Sequence, residues 1–223
     1  MTHINEKQAN ELLEDLALIK KAIQKNTPVL QQIALDKAFW LLSLFGGIAI
    51  ILISLLFDYF IRQAGSFDAL AGGTKIFLFS LIGLFIIITG TYKWIQFTRS
   101  ARAVEPAITG WGLFKELHAS QILISLHIPV GLLMLFLTFY SIAQGHPELS
   151  VPIISIGVGI LWNAYGSLFR TKQFYVGGYW MMITGAISLL LSHVSPFINL
   201  SYSVGMGLII FGIASWTTTP RGE

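Results

Sequence analysis

Six long apolar stretches dominate this chain and leave it few options. They lie near Ala38 to Phe60, Lys75 to Phe97, Ala119 to Ala143, Leu149 to Phe169, Phe174 to Ser192 and Phe197 to Trp216. A helix needs roughly 20 mostly apolar residues to cross a hydrocarbon core about 30 Å thick, and each stretch meets or approaches that length. Lipid offers backbone groups no hydrogen-bonding partner, so runs of this kind must satisfy themselves as helices; the alternating pattern of a membrane barrel is absent. The sequence therefore predicts an all-α, polytopic integral membrane protein. Composition agrees: 54% of the 223 residues are hydrophobic, 11% are charged, and the mean hydropathy is +0.70, values outside the range of a water-soluble domain.

Basic residues orient the spans. Lys7, Lys20, Lys21, Lys25 and Lys37 precede the first; Lys93, Arg99, Arg102 and Lys115 fall between the second and third; Arg170 and Lys172 separate the fourth from the fifth; Arg221 follows the sixth. Only Arg62 and Lys75 of the 14 remain for the other side. Because Lys and Arg near span ends are retained in the cytoplasm, both termini are expected there, in a bacterial inner membrane. Trp40, Trp94, Trp111 and Trp216 fall at the cytoplasmic ends, and Trp162 and Trp180 in the inner halves of spans four and five. An interfacial anchoring belt accounts for that distribution, with a one-sided ligand-binding aromatic cup as the alternative. The net charge of +3 suits anionic lipid heads and carries no indication of nucleic acid.

Three parts are expected: residues 1–37 as a cytoplasmic amphipathic segment, 38–216 as the transmembrane domain, and 217–223 as a cytoplasmic tail. No cleavable leader is expected, since the first 37 residues lack an apolar core behind a basic start. Asn5 and Gln8 make a capping box. Ala9, Leu12, Leu16, Ile19 and Ile23 then draw one stripe down a helix, with acidic residues at its start and lysines at its end. Leu12, Leu16, Ile19 and Ile23 suit packing against a second copy as a short coiled coil, or lying flat on anionic lipid.

The spans also suggest duplication. Gly47 is followed seven residues later by Ser54, Gly131 by Thr138 and Gly185 by Ser192; in the even spans Ser80, Ser155 and Ser203 precede glycines by two to four residues. The expectation is three tandem hairpins. The third, GGYWMMITGAISLLLSHVSPFINLSYSVGMGLIIFGIASW, resembles the glycine-spaced hairpins of the HdeD-like acid-resistance membrane proteins, also small six-span proteins. The resemblance covers about 40 residues and implies a stress-linked membrane protein with no defined reaction; the N-terminal helix and the long first outer loop depart from that pattern. Gly205, Gly207 and Gly212 in the last span are expected to let neighbouring helices approach closely, within one subunit or across an oligomer face.

Candidate chemistry is sparse. With no cysteine, disulfides, thiolate metal sites and Cys nucleophiles are excluded. His127, two positions before Pro129, is the clear ionisable residue deep in a span, and such residues are expensive unless partnered. It reads as a neutral imidazole bonded to Asn163, Tyr165 or a carbonyl freed by Pro129, or else as part of a polar path through His127, Asn163 and Tyr165. Haem ligation lacks a second histidine at that depth, and His146 with His193 and Glu148 makes an incomplete outer metal set. No catalytic constellation, metal site or cofactor motif is expected. Asp58 and Arg62, four apart, suit a surface ion pair. The reading that follows is a non-enzymatic membrane scaffold or envelope-stress component that self-associates as a homo-oligomer or binds a partner, with a small transporter or channel near His127 as the alternative.

Overall fold

The computed structural model describes residues 37–104, 106–112, 121–169, 171–191 and 194–218. The stripe Leu12, Leu16, Ile19 and Ile23, and with it the N-terminal segment, lies outside the described residues. Among the described residues six long helices follow one another: α1 (Lys37–Ala64), α2 (Gly72–Val104), α3 (Gln121–Ala143), α4 (Ser150–Phe169), α5 (Lys172–Leu190) and α6, built from Pro196–Leu200, a π-helical turn Ser201–Gly205, and Met206–Thr218. Among the described residues there is no strand. Five of these helices, all but α5, are long and apolar enough to cross a membrane. The fifth expected span exists as a 19-residue helix, yet its Lys172, Gln173, the side chains of Tyr175, Tyr179 and Trp180, and three glycines dilute its apolar content.

The ends of the helices follow local chemistry. After α3 the chain turns through Gly145, at φ +82°; the His146 N–H bonds back to Ser141 O at 2.8 Å and the Gly145 N–H to Ile142 O at 3.0 Å. This is the paired closure that needs a left-handed residue just past the helix, which glycine adopts without penalty. Ser195 caps α6, its hydroxyl accepting the Phe197 N–H at 3.3 Å, with Pro196 at the first helical position, where its missing donor costs nothing. The expected pair Asp58–Arg62 forms at 2.7 Å near the end of α1.

The helices stand in an open arc, in the order α2, α1, α6, α5, α4, α3. The most extensive contacts join α1 to α6 and α4 to α5, between rather than within the hairpins expected from sequence order. Glycine explains both. At Gly47 a Cβ would stand 2.5 Å from Gly205 O, and at Gly205 3.2 Å from Gly47 O, so each backbone occupies the space the other's side chain would need. Gly159 and Gly178 repeat the arrangement between α4 and α5, at 2.7 and 2.8 Å from each other's carbonyls. Gly212 meets the Trp40 carbonyl and Leu44 of α1, and Gly207 meets Met181 of α5. All three expected packing glycines are thus used inside the chain, where close backbones gain dispersion contacts.

The two ends of the arc are different. Only 6% of the apolar stretch of α2, and 6% of that of α3, is buried within the chain, against 39% for α6. Gly83 and Gly90 in α2 and Gly131 in α3 have nothing within 4 Å of where a Cβ would stand.

Candidate functional site

His127 and Tyr165 meet. The α3 and α4 helices run antiparallel, with the Met134 side chain lying over Gly157, and this register sets the His127 ring against Tyr165, ring centroids 5.2 Å apart. The Tyr165 hydroxyl bonds the imidazole, with Nδ1 at 2.9 Å and Nε2 in direct contact. The imidazole is partnered as expected, by the phenol. His127 itself is exposed on α3. Behind it Tyr165 packs edge-on to Phe174 at 6.0 Å, against the buried pair Phe174 and Phe211 and beside Trp162.

Asn163 does not join them. Two residues along a helix turns the side chain through about 200°, and Asn163 addresses α5 instead: its Nδ2 donates to the Met182 sulfur at 3.0 Å, while its buried Oδ1 lacks a hydrogen-bond partner. The three residues therefore do not converge on one path. His146 bonds Glu148 at 3.0 Å, exposed at the turn between α3 and α4; His193 lies outside the described residues. No group of three or more metal-ligating side chains occurs among the described residues.

A second polar cluster, which sequence reasoning missed, surrounds the π-helical turn in α6. There the Met206 N–H reaches back five residues to Ser201 O, so it does not take the Tyr202 carbonyl as a regular α-helix would. That carbonyl accepts the Trp180 indole N–H from α5 at 2.8 Å. The Tyr202 hydroxyl donates to Asn199 Oδ1 at 2.8 Å and lies 2.6 Å from the Ser188 hydroxyl, which has Thr184 O as a second acceptor at 2.8 Å. Ser203, fully buried, bonds Asn199 O at 2.6 Å; Ser155, equally buried, bonds Met181 O at 2.9 Å. Asn199 stands only three residues into α6 and Ser188 two before the end of α5, so the cluster ties α5 to α6 near the turn that joins them.

Two tryptophans expected in an interfacial belt are internal instead. The Trp180 indole bonds into α6, and Trp162 packs on Phe211 at 4.7 Å and Phe174 at 5.8 Å, above Gly177. Trp94, Trp111 and Trp216 remain exposed, in keeping with an anchoring role.

Comparison with known protein families, with characterised proteins and with solved structures finds no match for this chain. Its function must therefore be argued from its own residues.

Proposed function

We propose that this chain is a non-enzymatic scaffold or envelope-stress component of a bacterial cytoplasmic membrane, with six spans, both termini cytoplasmic, and a homo-oligomeric assembly in which α2 of one copy packs on α3 of the next. The observation that carries this reading is the bareness of the two ends of the arc. Inside the chain α1 and α6, and α4 and α5, are engaged through close glycine contacts, while only 6% of the apolar stretch of α2, and 6% of that of α3, is buried. An exposed imidazole on an apolar helix, bonded by the Tyr165 hydroxyl, also gains from cover by a protein surface.

The duplicated spacing supplies a register. Gly47 lies against Gly205, two residues after Ser203, and Gly185 lies against Ser155 and Ile156. Carried to the third set, the rule sets Gly131 of α3 against residues 80–82 of α2. An α2–α3 contact between copies is head-to-tail, so it closes into a ring or continues as a row. For the sixth span, support comes from α5 running antiparallel to α4, with Gly178 at Gly159 and Tyr175 at Gly166, and so traversing the same thickness. Stress linkage rests on the resemblance of the third hairpin.

A disulfide experiment tests the assembly cleanly, because the chain has no cysteine of its own. Ser80→Cys and Gly131→Cys together should give cross-linked dimers and higher species on oxidation in membranes, while each single variant gives none. A product of monomer mass, meaning that α2 and α3 close on each other within one chain, refutes self-association through these faces, as does the absence of any product.

A further inference from the structure

The hairpin α1–α2 is packed at one end and open at the other. At the outer end Phe57, Leu70 and Leu78 are buried together, with Phe197 of α6 stacked on Phe57 at 5.1 Å. Towards the opposite end, where α1 begins and α2 finishes, the helices leave between them a cavity of about 420 Å³. Leu41, Phe45 and Gly46 of α1 face Phe85, Ile88 and Tyr92 of α2 across it. A volume in this range takes an elongated small ligand.

The walls select the ligand's chemistry. They are almost wholly apolar, and the one hydroxyl on the α2 wall above Tyr92, that of Thr89, already donates to Phe85 O at 2.6 Å. Nothing there recognises a polar molecule, so the occupant within the cavity is a hydrocarbon chain. The mouth differs. Phe85, Ile88, Tyr92, Gln96 and Arg99 recur at three- and four-residue steps along one face of α2. Read outward, that face passes from hydrocarbon to phenol, amide and an exposed guanidinium, the order in which a glycerophospholipid passes from acyl chain to ester to phosphate. Lys93, beside Tyr92, carries its ammonium 5.3 Å over the Phe97 ring, one turn nearer the same end, as a lysine does when its head seeks the interface. The positive mouth and the apolar cavity together match an anionic lipid.

We propose that the α1–α2 cavity binds one acyl chain of an anionic phospholipid, with its ester region at Tyr92 and Gln96 and its phosphate towards Arg99. The site rests on the membrane location of the chain and is independent of whether copies assemble.

Gly46 gives a direct probe. Nothing lies within 4 Å of where its Cβ would stand, so Gly46→Leu projects its side chain into the cavity and takes up part of the space an acyl chain needs. The full chain would be extracted from vesicles of equal phosphatidylglycerol and phosphatidylcholine, and retained lipid counted by native mass spectrometry. The wild-type chain should keep one phosphatidylglycerol in about fivefold preference over phosphatidylcholine, the discrimination of one favourable basic contact near the surface. Gly46→Leu should lose that lipid; Arg99→Gln should keep a lipid and lose the preference; Gly90→Leu, on α2 with equally open space and away from the cavity, should behave as wild type. Ile88→Trp fills the same cavity from the other helix and replaces Gly46→Leu if that variant fails to show a normal thermal melt. Equal retention of the two lipids by the wild-type chain, unchanged retention in the filled variants, or the same loss in Gly90→Leu overturns the proposal.

Discussion

Gly46 and Gly47 are neighbours in α1, and alanine at the two positions should move stability in opposite directions. At Gly47 the new Cβ would stand 2.5 Å from Gly205 O, 2.8 Å from Ile209 Cγ1 and 3.0 Å from Ile209 N. The first and last are backbone atoms of α6, which cannot turn aside as a side chain can. Carbon–oxygen contacts settle near 3.3–3.6 Å, so α1 and α6 must part by roughly 1 Å at their closest point. Forcing one methyl into a packed interior costs about 1–3 kcal/mol, and relief of glycine's poor helix propensity returns about 1 kcal/mol. The net for Gly47→Ala is a loss of up to about 2 kcal/mol, or a fall in Tm of up to roughly 8 °C for a chain of this size. At Gly46 the Cβ meets nothing within 4 Å, so only the propensity gain applies. Gly46→Ala should raise stability by about 0.5–1 kcal/mol and Tm by roughly 1–4 °C. Thermal unfolding of both variants, followed by far-ultraviolet circular dichroism in one detergent, reads the contrast. If both variants fall together, the space seen at Gly46 is not there; if both rise, the Gly47–Gly205 crossing is not the joint that holds α1 to α6.

Two further substitutions test other joints. Trp180→Phe removes the indole donor from the Tyr202 carbonyl that the π-helical turn exposes; leaving a buried acceptor unmet should cost about 1–3 kcal/mol in a thermal melt, and an unchanged melt would show that the carbonyl finds another donor. Gly207 differs from Gly47 because its Cβ would meet Met181 Cγ at 2.8 Å and Cε at 2.9 Å, a flexible side chain able to yield. Gly207→Ala should therefore lose less stability than Gly47→Ala in the same assay while Gly207→Leu loses more than either; equal losses for the two alanines would remove the distinction between side-chain and backbone contacts.

The helices were legible because lipid imposes a length and leaves no alternative backbone solution; each expected span is matched by a helix whose ends differ by a few residues. Their arrangement was less so. Glycine spacing marks where close approach is allowed, but Gly131 and Gly47 occupy equivalent places in the repeat while one meets nothing and the other meets Gly205. Which partner fills the space is a tertiary fact that no local spacing encodes. His127 and Tyr165 were legible because an imidazole within an apolar stretch demands a partner, whereas Asn163 was misgrouped: two positions along a helix changes the face. The Trp180–Tyr202 bond had no sequence signal at all. Ser-Tyr-Ser reads as ordinary helix, and only the slipped backbone register creates an acceptor for the indole. Tryptophans spaced near one side invited a belt reading that two of them, Trp162 and Trp180, do not share.

The position of α2 joins the two proposals. Within the chain its main support is α1, through a packed outer end and a cavity at the other, so the angle at which α2 leaves the arc depends on what occupies that cavity. Ser80, exposed on a different face of the same helix, is the residue proposed to meet α3 of another copy. A lipid that holds the two helices apart and a copy that grips α2 then act on one rigid element, and linkage requires their effects to be reciprocal: whatever factor the lipid applies to assembly, assembly applies to lipid affinity. Gly46→Leu separates this coupling from mere coexistence. It blocks the cavity permanently and lies on α1, away from Ser80 and Gly131, so if α2 transmits the effect, the variant shifts the yield of Ser80–Gly131 cross-linked product made in anionic vesicles and makes that yield insensitive to removing phosphatidylglycerol. A yield that still follows lipid composition in the filled variant would place the lipid's action elsewhere on the chain.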